Sequence, residues 1–483
     1  MYRKSAEEII TPQKFELGKL SDDNRWVVMS KQIPWTEFEE EYAKNFSDED
    51  HGAPAKSFRM ALGALIIKER LGISDRETVE QIKENPYLQY FLGMSAHSNE
   101  APFDASMLVH FRKRIGGELM NKINRKMVKN NVEMGKEIIG EKKSSGENSE
   151  ETNRGKLILD ATCAPADISY PNDLGLLNQV REHTEKVIDI LYNSVEDESK
   201  KKPKTYRNIA RKDYLEVSKK RRATKKQRQK GIKKQLQYIK RNLAHISLLE
   251  SNTGFEMLSD QQHKKILVAS EIYRQQLLMY ETKSQRIDNR IVSLSQPHIR
   301  PIIRGKAGKA VEFGAKLSAS CVNGYVFLDR ISWDNFNESG DLKMQVEEFK
   351  KYTGFYPKSV HADKIYRTKA NRDWCKEKGI RFSGTPLGRP PQNVSKETKK
   401  QAQIDEGVRN CIEGKFGEGK RRFGLDRVMT KLANTSETTI AITFLVMNLS
   451  KLLRQFCRLF LCLFQNQIFI LYPSPNVITK SYA

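Results

Sequence analysis

The sequence predicts an α+β or α/β protein with a mixed sheet and flanking helices, a long helical hairpin inserted after the first strand, and a helical N-terminal domain. Three observations lead to this prediction. Residues 1–138 carry apolar side chains at helical spacing. A short strand pattern at 157–162 is followed by more than a hundred residues of helical, partly heptad pattern. From about residue 310 onward, strand and helix patterns alternate.

Positive charge is the main compositional signal. The 483 residues include 84 Lys and Arg against 60 Asp and Glu, a net charge of +24. An excess of this size indicates a polyanionic partner, most often nucleic acid. The six cysteines form no metal-binding pattern, and MYRKSAEEII is too polar for a secretory signal. The apolar stretches Ile440–Leu449 and Phe460–Leu471 are too short or too interrupted for a membrane span. We therefore expect a cytoplasmic protein with no membrane partner.

Residues 1–140 combine short helix patterns with tight joints. Ser74 precedes one helix and is followed three residues later by Glu77, the pattern of a capping box. Asp104 precedes the amphipathic ASMLVHFRKRI, which ends in cations. These features are typical of a helix-turn-helix-like DNA reader, although a plain helical bundle gives the same pattern. The predicted DNA contacts are Arg112, Lys113 and Arg114.

The rest of the chain divides into four parts. Residues 141–156 are charged and lack an apolar period, so we predict a linker. Residues 157–172 and 297–455 are predicted to form one domain, interrupted by a basic helical insertion at 173–296. For the tail at 456–483 the sequence indicates no role.

Within the insertion, apolar residues step by three and four positions, which predicts an antiparallel helical hairpin. The first run is Ile232, Leu236, Ile239, Leu243 and Ile246. The second run is Ile266, Tyr273, Leu277, Tyr280, Ile287, Ile291 and Leu294. Arms of ~35 residues would each be ~50 Å long.

The same insertion holds the densest positive charge. Between Arg211 and Arg241, fourteen Lys and Arg accompany two acidic residues. A solvated coiled-coil surface would mix the two signs, so the pattern favours contact with a nucleic-acid backbone. The predicted contacts are Lys219, Lys220, Arg221 and Arg222.

The C-terminal half alternates strands with helices. AVEFGAKLSASC and GYVFLDRISW read as strands joined through Asn323-Gly324, a strong hairpin signal. The helix LKMQVEEFKKYTG leads to the strand KSVHAD, which ends in Asp363. The helix NRDWCKEKG, the strand IRFSGTP and the helix RNCIEGKFGEGKRRFG follow.

On that last helix, one acid and two bases share a face. At about 100° per residue, Glu413 lies ~40° and Lys420 ~20° from Arg409 after whole turns are removed. A solvated ion pair worth a few tenths of a kcal/mol would explain Arg409 and Glu413 alone. The alternative is a carboxylate held beside a phosphate-binding surface.

The order of elements resembles a ribonuclease H-like fold with a helical insertion after its first strand, in which Asp160, Asp363 and Glu413 converge. The chain also resembles bacterial insertion-sequence transposases of the DDE superfamily. One group of these carries tyrosine, arginine, glutamate and lysine around its third acid. Arg409, Glu413 and Lys420 match that spacing, whereas Glu406 replaces the tyrosine. After Asp363 the sequence keeps Tyr366 but has Ile365 where the family usually has glycine.

The resemblance implies a catalytic and metal-binding triad of Asp160, Asp363 and Glu413. Three convergent carboxylates suit two Mg²⁺ or Mn²⁺ ions, which can support phosphoryl transfer without a side-chain nucleophile. It further implies DNA contacts by Arg409, Lys420 and Tyr366. The expected partners are the double-stranded terminal inverted repeats of a mobile element and the target DNA, bound by a homodimer at the bacterial nucleoid.

Alternatives stay open at this point. Asp329 and Asp334 compete with Asp363 as second acid, and His361 shares a strand face with Asp363, more as a neighbour than as a ligand. A ribonuclease H-like nuclease without strand transfer, and an inactive DNA-binding derivative of a transposase, are the alternative functions.

Overall fold

The computed structural model describes residue 15 and residues 20–46, 54–139, 153–193, 201–253, 257–306, 309–384 and 395–471. Most of the predicted linker and the last twelve residues of the predicted tail lie outside these ranges.

The N-terminal part is helical, as predicted. Its helices are α1 (Arg25–Gln32), α2 (Glu39–Ala43), α3 (Phe58–Leu71), α4 (Asp75–Glu84), α5 (Pro86–Phe91) and α6 (Met107–Ile139). The Ser74 hydroxyl accepts a hydrogen bond from the Glu77 backbone N–H at 3.1 Å, which confirms the predicted N-cap of α4. At Gly116 the backbone φ is +69°, a conformation that favours glycine, and the residue interrupts α6.

Six strands form one mixed sheet. They are β1 (Lys156–Pro165), β2 (Arg300–Lys306), β3 (Lys309–Val322), β4 (Tyr325–Ser332), β5 (Ser359–His361) and β6 (Arg381–Phe382). Their order is β2-β3-β1-β5-β6, and β4 also pairs with β3. β1 is antiparallel to β3 and parallel to β5, and β5 is parallel to β6. The predicted Asn323-Gly324 turn is present, with positive φ at both residues. β2 was not predicted.

The insertion differs from the predicted hairpin. Over the described residues it contains four helices, α7 (Asp173–Asn193), α8 (Arg207–Ser218), α9 (Lys225–Thr253) and α10 (Asp260–Glu281). The seam of α9 is buried as predicted, but its main partner is α7, and α10 packs on both. The second heptad run extends past the end of α10, because Ile291 and Leu294 pack on the same core from a non-helical segment. The insertion is therefore a helical bundle.

The remaining helices are α11 (Leu342–Thr353), α12 (Lys369–Glu377), α13 (Lys396–Arg422) and α14 (Ala433–Leu471). Ile440–Leu449 is buried in α14, which confirms the predicted buried helix. α14 is longer than the apolar stretch Ile440–Leu449 suggested. By length and composition alone, its segment Ala433–Cys457 could cross a membrane. About two thirds of its most apolar window is buried within the protein, as expected for a core helix.

The N-terminal helices and the sheet share one hydrophobic core. α14 packs along α6 and also contacts β4 and α3. The Asn448 side chain joins three of these elements: its amide donates to Asn124 Oδ1 at 2.9 Å and to the Val326 carbonyl at 2.7 Å, and its oxygen accepts from the Val326 N–H at 2.9 Å. The two regions predicted as separate domains therefore depend on each other for burial.

Candidate active site

A cavity of about 560 Å³ lies beside the centre of the sheet. Its wall contains the three predicted acids and both predicted phosphate-binding cations, namely Asp160, Asp363, Glu413, Arg409 and Lys420. These side chains come from β1, from the segment after β5 and from α13, which lie far apart in the sequence.

The pairing of strands places the two aspartates together. Asp160 lies in β1, which pairs in parallel with β5 through Ile158 and His361. Asp363 follows two residues after β5 and begins a short 3-10 turn, where its carboxylate accepts a hydrogen bond from the Lys364 N–H at 2.6 Å. This brings both carboxylates to one end of the β1–β5 pair.

The third acid reaches the cavity from a helix. α13 contacts β1, and Glu413 is half-exposed on the side that faces the cavity. Arg409, one turn earlier, lies 3.0 Å from the Glu413 carboxylate and 2.7 Å from that of Glu406. The shared face that the helical angles predicted is therefore present, and Glu406, in place of a tyrosine, pairs with the same arginine.

The ionisation of Asp160 is perturbed by its surroundings. Burial raises the pKa of Asp160 to about 6, and the charges of Glu413 and Glu338 add to this effect. A hydrogen bond from the Ala161 N–H and the charge of Arg409 oppose it. Burial and the neighbouring carboxylates both disfavour the ionised form of Asp160, and a cation bound beside it would favour that form.

Replacing Asp160 with asparagine is expected to stabilise the metal-free fold. Because the folded-state pKa is raised above the ordinary value of 3.8, the carboxylate destabilises the fold progressively as pH rises from about 4 to about 6, and fully above that. The variant should be more stable than the parent by up to about 3 kcal/mol at pH 8, and by little at pH 4. Urea unfolding in a chelating buffer measures this difference.

The exposed Asp334→Asn change serves as the control, since its side chain is 74% exposed. Because the side chain is exposed, this change should leave the free energy of unfolding within about 0.5 kcal/mol of the parent. Parallel curves for Asp160→Asn and the parent across pH 4–8 would contradict the raised pKa.

The donor set of the cavity suits a hard divalent ion. Carboxylate oxygens are the ligands that Mg²⁺ and Mn²⁺ prefer. Among the described residues, however, no three His, Cys, Asp or Glu side chains are close enough to hold one ion. Two of the cavity carboxylates face cations of the chain instead: Glu413 faces Arg409, and Glu338 lies 2.8 Å from Lys316. An ion that binds Glu413 or Glu338 would have to displace the cation paired with that carboxylate.

The competing acids lie elsewhere. Asp329 is buried, its carboxylate lies 2.8 Å from the Arg125 guanidinium, and it accepts from Gln345 at 2.8 Å. Asp334 is exposed and lies 3.7 Å from Arg300. His361 is buried and contacts Ser359 and Asp405. None of the three lines the cavity.

Two predicted DNA contacts do not fit the structure. Tyr366 is the last residue of the turn after Asp363, it is fully buried, and burial raises the pKa of its hydroxyl well above the ordinary value. Arg112 is also buried, and its guanidinium forms a two-point ion pair with Asp75 that joins α6 to α4. Both predictions were wrong because local pattern does not reveal tertiary burial.

The other predicted cations remain accessible. Lys113 is exposed and Arg114 is partly exposed over the Phe46 ring. The four cations of the insertion, Lys219, Lys220, Arg221 and Arg222, are exposed in the turn between α8 and α9. Three of them, with Arg228 and Arg290, line a cavity of about 690 Å³ at the base of the insertion.

Sequence reasoning missed one pair of residues on the cavity wall. Lys316 of β3 and Glu338, in the turn after β4, both line the cavity. Glu338 lies within SWDNFNESGDL, the segment that connects β4 to α11. The sequence shows the acid, but its position relative to Asp160 depends on the sheet.

Two regions of the chain match known protein families. Residues 360–450 match the family described as "Transposase DDE domain", and residues 15–114 match the one described as "Transposase domain (DUF772)". A similar protein is "Uncharacterized protein ORF8 in nfe locus" from Rhizobium meliloti, which is 28% identical over 190 residues, or 38% of this chain and 80% of the relative. No solved structure matches. Together, the two matched regions make the chain similar to insertion-sequence transposases of the DDE type.

Proposed function

We propose that this protein binds the terminal inverted repeats of a mobile DNA element and catalyses metal-dependent strand cleavage and strand transfer. Asp160, Asp363 and Glu413 are the catalytic carboxylates. Arg409 and Lys420 bind phosphate oxygens of the DNA. The chain works as a homodimer on the double-stranded DNA of the repeats and the target.

One observation carries the proposal. Three carboxylates and two cations, separated by up to 260 residues of sequence, line one cavity. Carboxylates alone would repel DNA, and cations alone would bind it without chemistry. Their combination matches what phosphoryl transfer needs, because the acids can hold cations where charge develops while Arg409 and Lys420 hold the phosphate.

The sheet supports the same proposal. Three antiparallel strands, β4, β3 and β1, continue into the parallel strands β5 and β6. This order and these directions are compatible with the ribonuclease H-like sheet that the sequence resembles, with β2 as an addition. The helical insertion begins at Asp173, shortly after the first strand ends at Pro165. Membership of the Tyr-Arg-Glu-Lys group stays a prediction, since Glu406 replaces the tyrosine.

The residues that would hold Mg²⁺ or Mn²⁺, two ions in this proposal, are the three catalytic carboxylates. Such ions would activate a water or a 3′-hydroxyl as the nucleophile, and they would stabilise the negative charge on the leaving oxygen. The protein contributes the position of the carboxylates, through the β1–β5 pairing and the contact of α13 with β1. Hydrolysis adds water across a P–O3′ bond and yields a 3′-hydroxyl and a 5′-phosphate. In strand transfer that hydroxyl attacks a target phosphorus and displaces the target's own 3′-oxygen, which leaves as a hydroxyl.

The test uses the full chain and a supercoiled plasmid that carries the inverted repeats flanking the reading frame. With Mg²⁺ or Mn²⁺, we expect nicks at the repeat ends and joined products when target DNA is added. With a chelator, we expect binding without nicks. A plasmid with scrambled repeats is the matched control.

The outcomes separate the alternatives. Nicks that ignore the repeats, without joined products, would indicate a nuclease and contradict the proposal. Repeat-specific binding without nicks in either metal would indicate an inactive DNA-binding derivative and would also contradict it.

A further inference from the structure

The turn after β4 places a fourth carboxylate on the cavity wall. Glu338 begins the short 3-10 turn Glu338–Asp341, and its side chain is only 16% exposed. The turn is fixed at its start by Asn337, whose side chain accepts from the Ser339 N–H at 3.1 Å. The Asn371 amide donates to the Ser339 carbonyl at 2.8 Å and anchors the turn to α12. Glu338 is therefore held by a well-defined backbone.

Lys316 pairs with this carboxylate, and each of the three N–H groups of its ammonium has an acceptor. Its Nζ lies 2.8 Å from Glu338 Oε2 and donates to the Phe336 carbonyl at 2.7 Å and to Asn335 Oδ1 at 3.4 Å. The side chain is 14% exposed and also lies 4.9 Å from the centre of the Phe336 ring. Three acceptors for three N–H groups fix the cation at the cavity wall.

The pair repeats an arrangement already present across the cavity. Arg409 faces Glu413 there, as Lys316 faces Glu338 here. A divalent ion that binds Glu413 or Glu338 competes with the cation already paired with that carboxylate. The Glu413 side chain is half-exposed and can rotate toward solvent, whereas the Glu338 side chain is mostly buried. An ion that binds Glu338 therefore competes with Lys316 in a fixed geometry.

We propose that Glu338 is a fourth carboxylate of the metal site, and that Lys316 competes with the divalent ion for it and thereby sets the metal concentration at which the site fills. This inference rests on the proposed function of the same cavity. Lys316 acts as a positioning residue, because it holds Glu338 in place until an ion binds.

The two members of the pair should have opposite effects on metal affinity. Glu338→Gln removes a negative charge and replaces one carboxylate oxygen with an NH₂ group, and we expect Mn²⁺ binding to weaken by about tenfold or more. Lys316→Met removes a competing positive charge, and we expect Mn²⁺ binding to tighten several-fold. The full chain without DNA is titrated with Mn²⁺ and followed by electron paramagnetic resonance, so that the measurement does not depend on cleavage.

A matched pair on α13 provides the control. Lys415 and Glu418 lie 2.9 Å apart with side chains 12% and 16% exposed, and neither lines the cavity. Lys415→Met and Glu418→Gln should leave Mn²⁺ affinity unchanged. Circular dichroism establishes that each variant is folded, and Glu338→Asp, which keeps the charge on a shorter side chain, replaces Glu338→Gln if the latter unfolds. It should weaken Mn²⁺ binding less.

The result that overturns this inference differs from the one that overturns the proposed function. If the parent binds Mn²⁺ and cleaves DNA while Glu338→Gln binds Mn²⁺ as the parent does, Glu338 is outside the metal site. If Lys316→Met weakens binding as much as Glu338→Gln, the pair is a structural clamp. A parent that neither binds Mn²⁺ nor cleaves contradicts the proposed function itself.

Discussion

Alanine at Asp160, Asp363 or Glu413 is expected to abolish DNA cleavage while DNA binding is unchanged or slightly tighter. The three carboxylates line one cavity, so each change removes part of a single site. We expect cleavage to slow by at least about a thousandfold, or ~4 kcal/mol of transition-state stabilisation. Binding should persist because a carboxylate repels phosphates. Gel shift and nicking assays on the same repeat DNA measure both quantities.

The control must separate loss of chemistry from loss of fold. Asp334→Ala is suitable, since that side chain is exposed outside the cavity, and it should cleave as the parent does. Asp329→Ala would be misleading, because it leaves the Arg125 guanidinium without its carboxylate partner and should lower thermal stability first. Normal cleavage by Asp363→Ala would show that another residue is the second acid.

Neutralising Lys219, Lys220, Arg221 and Arg222 together is expected to weaken binding to every duplex, whatever its sequence. The four cations are exposed in one turn, and three of them line a cavity with Arg228 and Arg290 at the base of the insertion. If each contacts a phosphate, the slope of log affinity against log salt should decrease by up to ~3.6, since one contact contributes about 0.9. Fluorescence anisotropy at several salt concentrations, with repeat and random DNA, measures the slope.

A variant with the same change of net charge serves as the comparison. Neutralising the exposed Lys343, Lys351, Lys358 and Lys376, which lie on or near α11 and α12, should alter the slope far less. Equal slopes for the insertion variant and the parent would instead make the insertion a surface for protein contacts.

Much of the site could be predicted because its parts are local patterns. The strand around Asp160, the strand before Asp363 and the face of Arg409 and Glu413 each follow from a period of two or of 3.6 residues. That these residues converge was predicted from the resemblance to a known fold. In the structure their side chains line one cavity.

The parts that sequence reasoning missed depend on contacts between distant residues. Glu338 belongs to the cavity only because β4 ends beside β3, which in turn lies beside β1. Arg112 has the pattern of a surface cation, yet Asp75 and α14 enclose it, and the Thr438 hydroxyl donates to its carbonyl at 3.0 Å. The partner of α9 was misassigned because a heptad seam identifies a helix face without identifying the helix that covers it.

The packing of α14 on α6 also has a consequence for synthesis of the chain. Roughly 300 residues separate the end of α6 from the start of α14, so a ribosome working at about 5–20 residues per second needs on the order of 15–60 s between them. During that interval the apolar side of α6 lacks its main covering helix and is open to chaperones and proteases. Chains that terminate before α14 keep that side uncovered and are candidates for degradation, so quality control would favour full-length protein at the DNA.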